Sequence, residues 1–183
     1  NMSDFHQNGV ISTLHNLSNR SLDEIEQELR EYSKDAPIEL ILPSLYSELE
    51  GAALKNIVSC LRDVKYLNHI TIGLDKANKS EFIKAKKFFS NLNQSHSVIW
   101  NDSPKMKKLD SDFKKLGIAP NQPGKGKNVW YCMGYTYSRN EAGSVALHDC
   151  DITTYNRELL ARLVYPVSNP QINYEICKGY YPR

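Results

Sequence analysis

Short apolar runs alternate with amphipathic stretches along the chain, and the two carry different periods. Ser21 and Glu24 have capping-box spacing and predict a helix reaching about Lys34. Ile38 to Leu42 is an apolar run closed by Pro43, which predicts a buried strand. Ser47 and Glu50 repeat the capping-box spacing and predict a second helix, with Leu54, Ile57, Val58 and Leu61 on one face. His69 to Leu74 alternates apolar with polar or small residues, and Asp75 follows as at a strand's carboxyl end. Phe82, Ala85, Phe89 and Leu92 share one helical stripe, and Ser97 to Trp100 predicts a short strand. Ser103-Pro104 supplies a cap and a first-turn proline, after which Met106, Leu109, Phe113 and Leu116 continue a stripe to Gly117. Asn121 to Lys127 is Gly-, Pro- and Lys-rich and predicts a loop; Val129 to Tyr137 is aromatic-rich and predicts a helix. Ser144 to Leu147 predicts another buried strand, Tyr155 to Val164 a helix carrying Leu159, Leu160 and Leu163, and the tyrosine-rich stretch 171–183 an extended tail.

Strands separated by helical patterns of this length argue for β-α-β units, an α/β fold and a mostly parallel sheet. Such sheets bind ligands outside the carboxyl ends of their strands. Three polar clusters fall at that edge: Pro43 to Glu48, Asp75, and Asp149 to Asp151. One site assembled from segments a hundred residues apart is therefore expected.

Composition narrows the picture without redirecting it. One hundred and eighty-three residues, 40% hydrophobic and 24% charged, make one ordinary globular domain and exclude disordered and fibrous classes. Twenty-three Lys and Arg against 21 Asp and Glu leave a charge of +2, too little for a nucleic-acid or membrane footprint, although basic residues cluster at 76–87 and 105–127. No apolar run approaches the roughly 18 residues of a membrane span, and the first residues show no leader pattern. Asn1 ahead of Met2 reads as a tag remnant. Cys60, Cys132, Cys150 and Cys177 have neither zinc-site nor disulfide-scaffold spacing, so reduced thiols in a cytoplasmic protein are expected.

The polar clusters suggest specific chemistry. Asp149 and Asp151, two positions apart just past a strand, can share a hard cation such as Mg²⁺ or Mn²⁺ that also takes substrate phosphates. Turn and helix-cap acids would look the same. In Gly124-Lys125-Gly126-Lys127 the glycines allow close backbone approach and Lys125 offers charge to a phosphate, but P-loop spacing is absent and a basic surface loop remains open. Glu48 can accept hydrogen bonds from a base or ribose, or simply complement a helix dipole. Asp75 reads as a ligand-facing carboxylate or a turn residue. His148 is a candidate ligand, more readily a structural histidine. Tyr174, Tyr180 and Tyr181 could stack on a base, with core packing the simpler reading.

Taken in order, Leu42-Pro43-Ser44-Leu45 with Glu48, Asp75, Gly124-Lys125-Gly126 and His148-Asp149-Cys150-Asp151 resemble the GT-A nucleotide-sugar glycosyltransferases. The likeness is to the glucosyl-3-phosphoglycerate synthase family, and Cys177-Lys178-Gly179-Tyr180-Tyr181 adds to it. The resemblance implies a GT-A, Rossmann-like three-layer sandwich over residues 35–183, with residues 1–34 packing on it. It implies that Asp149 and Asp151 hold Mg²⁺ or Mn²⁺ on the donor diphosphate, that Lys125 lies near the donor, and that Pro43, Ser44 and Leu45 contact the uracil nucleoside, with Glu48 and Asp75 beside them. It further implies transfer of glucose from UDP-glucose to 3-phosphoglycerate with retention, and a homodimer.

Two departures accompany it. The usual Asn-Glu pair after the first strand reads Tyr46-Ser47-Glu48, which shifts Glu48 by one position. The family's acceptor-phosphate motif and a further metal-binding histidine have no counterpart before Arg183, so a fragment carrying the donor half is expected. Two rivals stand beside the transferase. One is a non-catalytic nucleotide-sugar-binding fragment. The other is a haloacid-dehalogenase-like phosphohydrolase with Asp149 as nucleophile and Asp151 as acid/base, for which the 32 residues after Asp151 leave no room for the remaining machinery.

Overall fold

A computed structural model of the chain describes residues 20–179. In chain order the elements are α1 (Leu22–Asp35), β1 (Ile38–Leu45), α2 (Ala52–Leu61), β2 (Leu67–Asp75), α3 (Lys79–Phe89), β3 (Ser95–Trp100), α4 (Pro104–Lys115), α5 (Lys125–Arg139), β4 (Ser144–Leu147) and α6 (Arg157–Ser168). All four strands are parallel, in the order β3-β2-β1-β4. The first three strands are laid down in one direction across the sheet, and β4 then returns to the far side of β1. The crevice beside the end of β1 is thus a topological switch point.

The strands alternate, so the sheet has two unlike faces. Leu40, Leu42, Ile70, Ile72 and Leu74 join the main core with Ile25, Leu54, Ile57, Phe89 and Leu160, all fully buried. The opposite face presents Glu39, Ile41, His69, Thr71 and Gly73, and α5 lies across it. Asn128 Nδ2 donates to the Gly73 carbonyl (2.9 Å), Thr136 meets Thr71 (3.4 Å), and Arg139 reaches Glu39 (3.5 Å). The apolar run of β1 therefore contains a fully buried carboxylate, and desolvation pushes the Glu39 carboxyl upward. Gly73 is required where it stands, because a Cβ there would lie 1.7 Å from Asn128 Oδ1 and 2.5 Å from Cys132 Sγ.

Several elements differ from the sequence expectation. The Ser21–Glu24 capping box is present, but the Ser47–Glu50 pair opens no helix. Tyr46–Glu50 is a single 3-10 turn, and α2 starts after Gly51. Glu48 causes this by folding back: its Oε2 accepts from the Leu45 N–H (2.8 Å) and Ser44 Oγ (3.1 Å). The apolar stripe of α4 is not core, since no residue of α4 is buried and Leu116 is 71% exposed. That helix follows the edge strand β3, where the sheet offers nothing further to cover, and meets α5 through Phe113 edge-on to Trp130 at 5.7 Å. The loop expected over 121–127 ends early, because α5 starts at Lys125 with Gly124 at φ +123° ahead of it. The helix expected at Tyr155 starts at Arg157, capped by Asn156, and runs through Pro166 to Ser168. β4, expected to be buried, leaves Leu147 42% exposed at the sheet edge. Residues 171–179 form turns and irregular structure, and Tyr180 and Tyr181 lie outside the described residues.

Helix α1 packs on α6. Arg20 and Tyr165 both bond the Glu28 carboxylate, Arg157 pairs with Glu26, and Tyr32 donates to Glu28 (3.1 Å). The Arg20 guanidinium, with Tyr165, holds the Glu28 carboxyl down at about 2. No helix among the described residues is long and apolar enough to cross a membrane.

Candidate functional site

The carboxyl ends of β1, β2 and β3, the first turns of α4 and α5 and the turn after β4 enclose one cleft of about 510 Å³. Its wall includes Pro43, Ser44, Leu45, Glu48, Asp75, Lys125 and Asp151, so segments 108 residues apart in sequence converge there. Asp149 is not on the wall; it joins it through an ion pair with Lys125.

Each side chain is placed by its element. Pro43 to Leu45 is the last stretch of β1, running beside Gly73 to Asp75 of β2. Ser44 is 2% exposed, and with Leu45 it is tied down by Glu48. One Glu48 oxygen is thus committed to shaping the strand end, a role the sequence pattern did not suggest. Asp75 is half-buried and accepts from Asn101 Nδ2 (2.8 Å). Burial raises the Asp75 carboxyl, against the hydrogen bonds of Asn101 and Asn128. Lys125 heads α5, where the helix N-terminus adds its own positive potential.

In the turn after β4 the central residue faces in and its neighbours face out. Cys150 is 2% exposed, and desolvation pushes its thiol far up, leaving an inert neutral group between the two aspartates. His148 is 4% exposed, bonds Tyr155 OH through Nδ1 (3.1 Å), and is held down to about 4 by desolvation. It is a neutral structural histidine rather than a ligand. Tyr174 lies away from the cleft, its backbone N–H on the Pro166 carbonyl (3.1 Å).

Five wall residues escaped the sequence reading: Asn101, Asp102, Asp110, Asn128 and Tyr131. Asp110 of α4 takes Lys127 Nζ (2.5 Å), Tyr131 OH (2.7 Å) and Lys114 Nζ (2.9 Å), which hold it well below the usual carboxylate range and bolt α4 to α5. Spacing could have found only Asn128, at i and i+4 with Cys132 and i+8 with Thr136 on one face of α5.

The wall carries five carboxylates (Glu48, Asp75, Asp102, Asp110, Asp151) against four lysines (Lys76, Lys107, Lys125, Lys127). Among the described residues no three His, Cys, Asp or Glu side chains form a ready-made metal cage. Asp149 and Asp151 suit a hard cation that completes its shell with ligand phosphates and water, which needs only one or two carboxylates. That Asp149 already attracts a cation, the Lys125 ammonium, agrees with this donor set.

No family model matches the chain. A glucosyl-3-phosphoglycerate synthase of Persephonella marina is 49% identical over 182 residues, covering 100% of this chain and 45% of that protein. One of Methanococcoides burtonii is 34% identical over 181 residues, covering 98% of this chain and 44% of that protein. Among solved structures, glucosyl-3-phosphoglycerate synthase of Mycobacterium tuberculosis, in complex with Mn²⁺, uridine diphosphate and glucosyl-3-phosphoglycerate, superposes with a TM-score of 0.50 at 16% identity, over 79% of this chain and 44% of that one. That likeness is one of fold, and the fold is GT-A. From end to end the chain is a homologue of the glucosyl-3-phosphoglycerate synthases, and it spans about half the length of the curated relatives it matches.

Proposed function

We propose that this chain is the donor-binding part of a retaining glycosyltransferase that moves glucose from UDP-glucose to a small phosphorylated acceptor such as 3-phosphoglycerate. The observation that carries the reading is the cleft itself. In a chain 49% identical to a glucosyl-3-phosphoglycerate synthase, β1, β2, α5 and the Asp149–Asp151 turn converge on it at the switch point of the sheet. The unit would span residues 35–183, with the helix before it as an outer cover.

Pro43 to Leu45 and Asp75 line the part of the cleft over β1 and β2 and would take the nucleoside. Lys125, at the positive end of α5, would take the diphosphate and stabilise the charge that develops on it as the glycosidic bond breaks. A Mg²⁺ or Mn²⁺ ion held by Asp149 and Asp151 would supply further charge neutralisation for the leaving diphosphate. The neighbour solved with Mn²⁺ and uridine diphosphate supports this choice of ligands. Both lysines of this segment are paired, Lys127 with Asp110 and Lys125 with Asp149, but the Lys125 side chain is the more exposed and so the one suited to the donor.

The test is calorimetric titration of UDP-glucose into the chain with and without Mn²⁺, with GDP-mannose as control. Metal-dependent binding of UDP-glucose alone is the expected result. Binding without turnover, even with 3-phosphoglycerate present, would favour the non-catalytic binding reading. Absence of any binding by the chain and by a chain extended past Arg183 would sink the donor assignment.

A further inference from the structure

Asn101 lies one residue past β3 and touches the cleft. Its backbone N–H donates to the Leu74 carbonyl (3.0 Å), which fixes it against the end of β2. Its side-chain nitrogen donates to Asp75 Oδ1 (2.8 Å). Its side-chain oxygen is sealed from solvent with no hydrogen-bond partner among the described residues. An orphaned buried carbonyl is a cost, and the orientation that leaves it persists for one visible reason. Turning the amide over would set its carbonyl against a carboxylate. The surroundings admit little adjustment, since Trp100 Nε1 donates to the Ala77 carbonyl (2.7 Å) and Asp102 accepts from the Ala77 N–H (3.0 Å). Trp100 also stacks on Phe82 at 5.1 Å.

We propose that Asn101 is a positioning residue, whose amide holds the Asp75 carboxylate in the orientation that offers an oxygen to a donor group of the ligand's nucleoside. The proposal rests on the donor-site reading above. The electrostatics agree with the geometry. Burial pushes the Asp75 carboxyl up, the like charge of Asp102 adds to this, and the amides of Asn101 and Asn128 and the charge of Lys76 pull it down. Cys132 of α5, also close, stays neutral, its thiol raised to about 12 by burial. Without Asn101 the carboxyl would hold its proton to higher pH and present a donor where an acceptor is needed.

The experiment follows the Asp75 carboxyl carbon by NMR through a pH titration of the ligand-free chain, assigned with Asp75→Asn, in wild type, Asn101→Ala and Asn101→Asp. Circular dichroism confirms that each variant folds, and Asn101→Asp keeps the side chain's size if the alanine variant does not. Titration midpoints raised by about one pH unit in Asn101→Ala, and further in Asn101→Asp, are expected. In parallel, UDP-glucose affinity with Mn²⁺ should fall at higher pH for Asn101→Ala than for wild type, as pH is lowered through the Asp75 midpoint that the titration gives for each. An unmoved Asp75 midpoint, or an affinity loss with the same pH dependence in both, would overturn the proposal. If wild type fails to bind UDP-glucose, the donor reading falls while the titration still decides whether Asn101 governs Asp75.

Discussion

Replacing Gly73 with alanine tests the idea that the cleft is set by direct contact of α5 with bare backbone. The new Cβ would sit 1.7 Å from Asn128 Oδ1 and 2.5 Å from Cys132 Sγ, where ordinary contact begins near 3.4 Å. Either α5 lifts by more than an ångström or Asn128 rotates away and abandons the Gly73 carbonyl, 2.9 Å from its Nδ2. Overpacking costs about 1–3 kcal/mol, and a buried carbonyl and amide left unpaired cost about 1–3 kcal/mol more. Urea unfolding should therefore show a loss of about 2–6 kcal/mol. Because Gly124, Lys125 and Lys127 ride on the same helix, cleft binding of UDP-glucose should fall with it. The control is the same change in an Asn128→Ala background, where part of the obstruction is gone and the added cost should be at least about 1 kcal/mol smaller. A Gly73→Ala chain within about 0.5 kcal/mol of wild type, binding ligand normally, would refute the close-approach argument.

Asp151→Asn should abolish the Mn²⁺ dependence of UDP-glucose binding while leaving the urea midpoint unchanged, because Asp151 is exposed on the cleft wall; calorimetry and denaturation on one preparation check both. Asp110→Asn removes the charge that holds Lys127 and Lys114 and should cost about 1–2 kcal/mol, with amide exchange quickening in the first turns of α5. Burial holds His148 at about 4 against an ordinary 6.5, so the unfolded chain binds more protons between those values. Its contribution to stability is complete above pH 6.5 and is lost as pH falls towards 4, amounting to about 3 kcal/mol at most. His148→Phe should flatten urea midpoints measured across that window, and an unchanged slope would count against a neutral buried imidazole.

Much of the fold was legible because its signals are local. The runs at Ile38, His69 and Ser144 have strand length, and the capped amphipathic segments between them force parallel pairing. From there the carboxyl edge, and the meeting of Ser44, Asp75 and Asp151, follows from topology. What was not legible depends on packing across the sheet. The face of α5 that meets the sheet is Asn128, Cys132, Thr136 and Arg139, a mostly polar stripe that hydrophobic periodicity passes over. The apolar stripe of α4 was legible as a stripe, but its exposure was not, because a four-strand sheet ending at β3 has no surface left to bury it. Glu48 and the start of α2 were missed for a similar reason. A carboxylate bonding back to Leu45 and Ser44 is a local alternative to helix, and spacing alone does not choose between them. The roles proposed for Lys125 and Asp149 came from family resemblance, and the structure adds that the two are each other's partner.

That pairing bears on how an anionic donor enters the cleft. With five carboxylates and four lysines on the wall, Asp149 bonded to Lys125 from just beyond it and Lys114 likewise bonded to Asp110, acids outnumber lysines by one. The N-terminal field of α5, equivalent to about half a charge, offsets that only in part, so the cleft holds no surplus positive charge for a diphosphate. Lys127 contributes little, being bonded to Asp110. Recruiting Lys125 to the diphosphate exposes the Asp149 charge it now covers, so the lysine alone cannot make the site attractive. On the proposed reading, Asp149 and Asp151 would hold a divalent cation whose charge would neutralise them, leaving Lys125 available to the phosphate oxygens. Metal and lysine would then not be parallel contributors, since the lysine would be available to the donor only where the cation replaced it as the partner of Asp149.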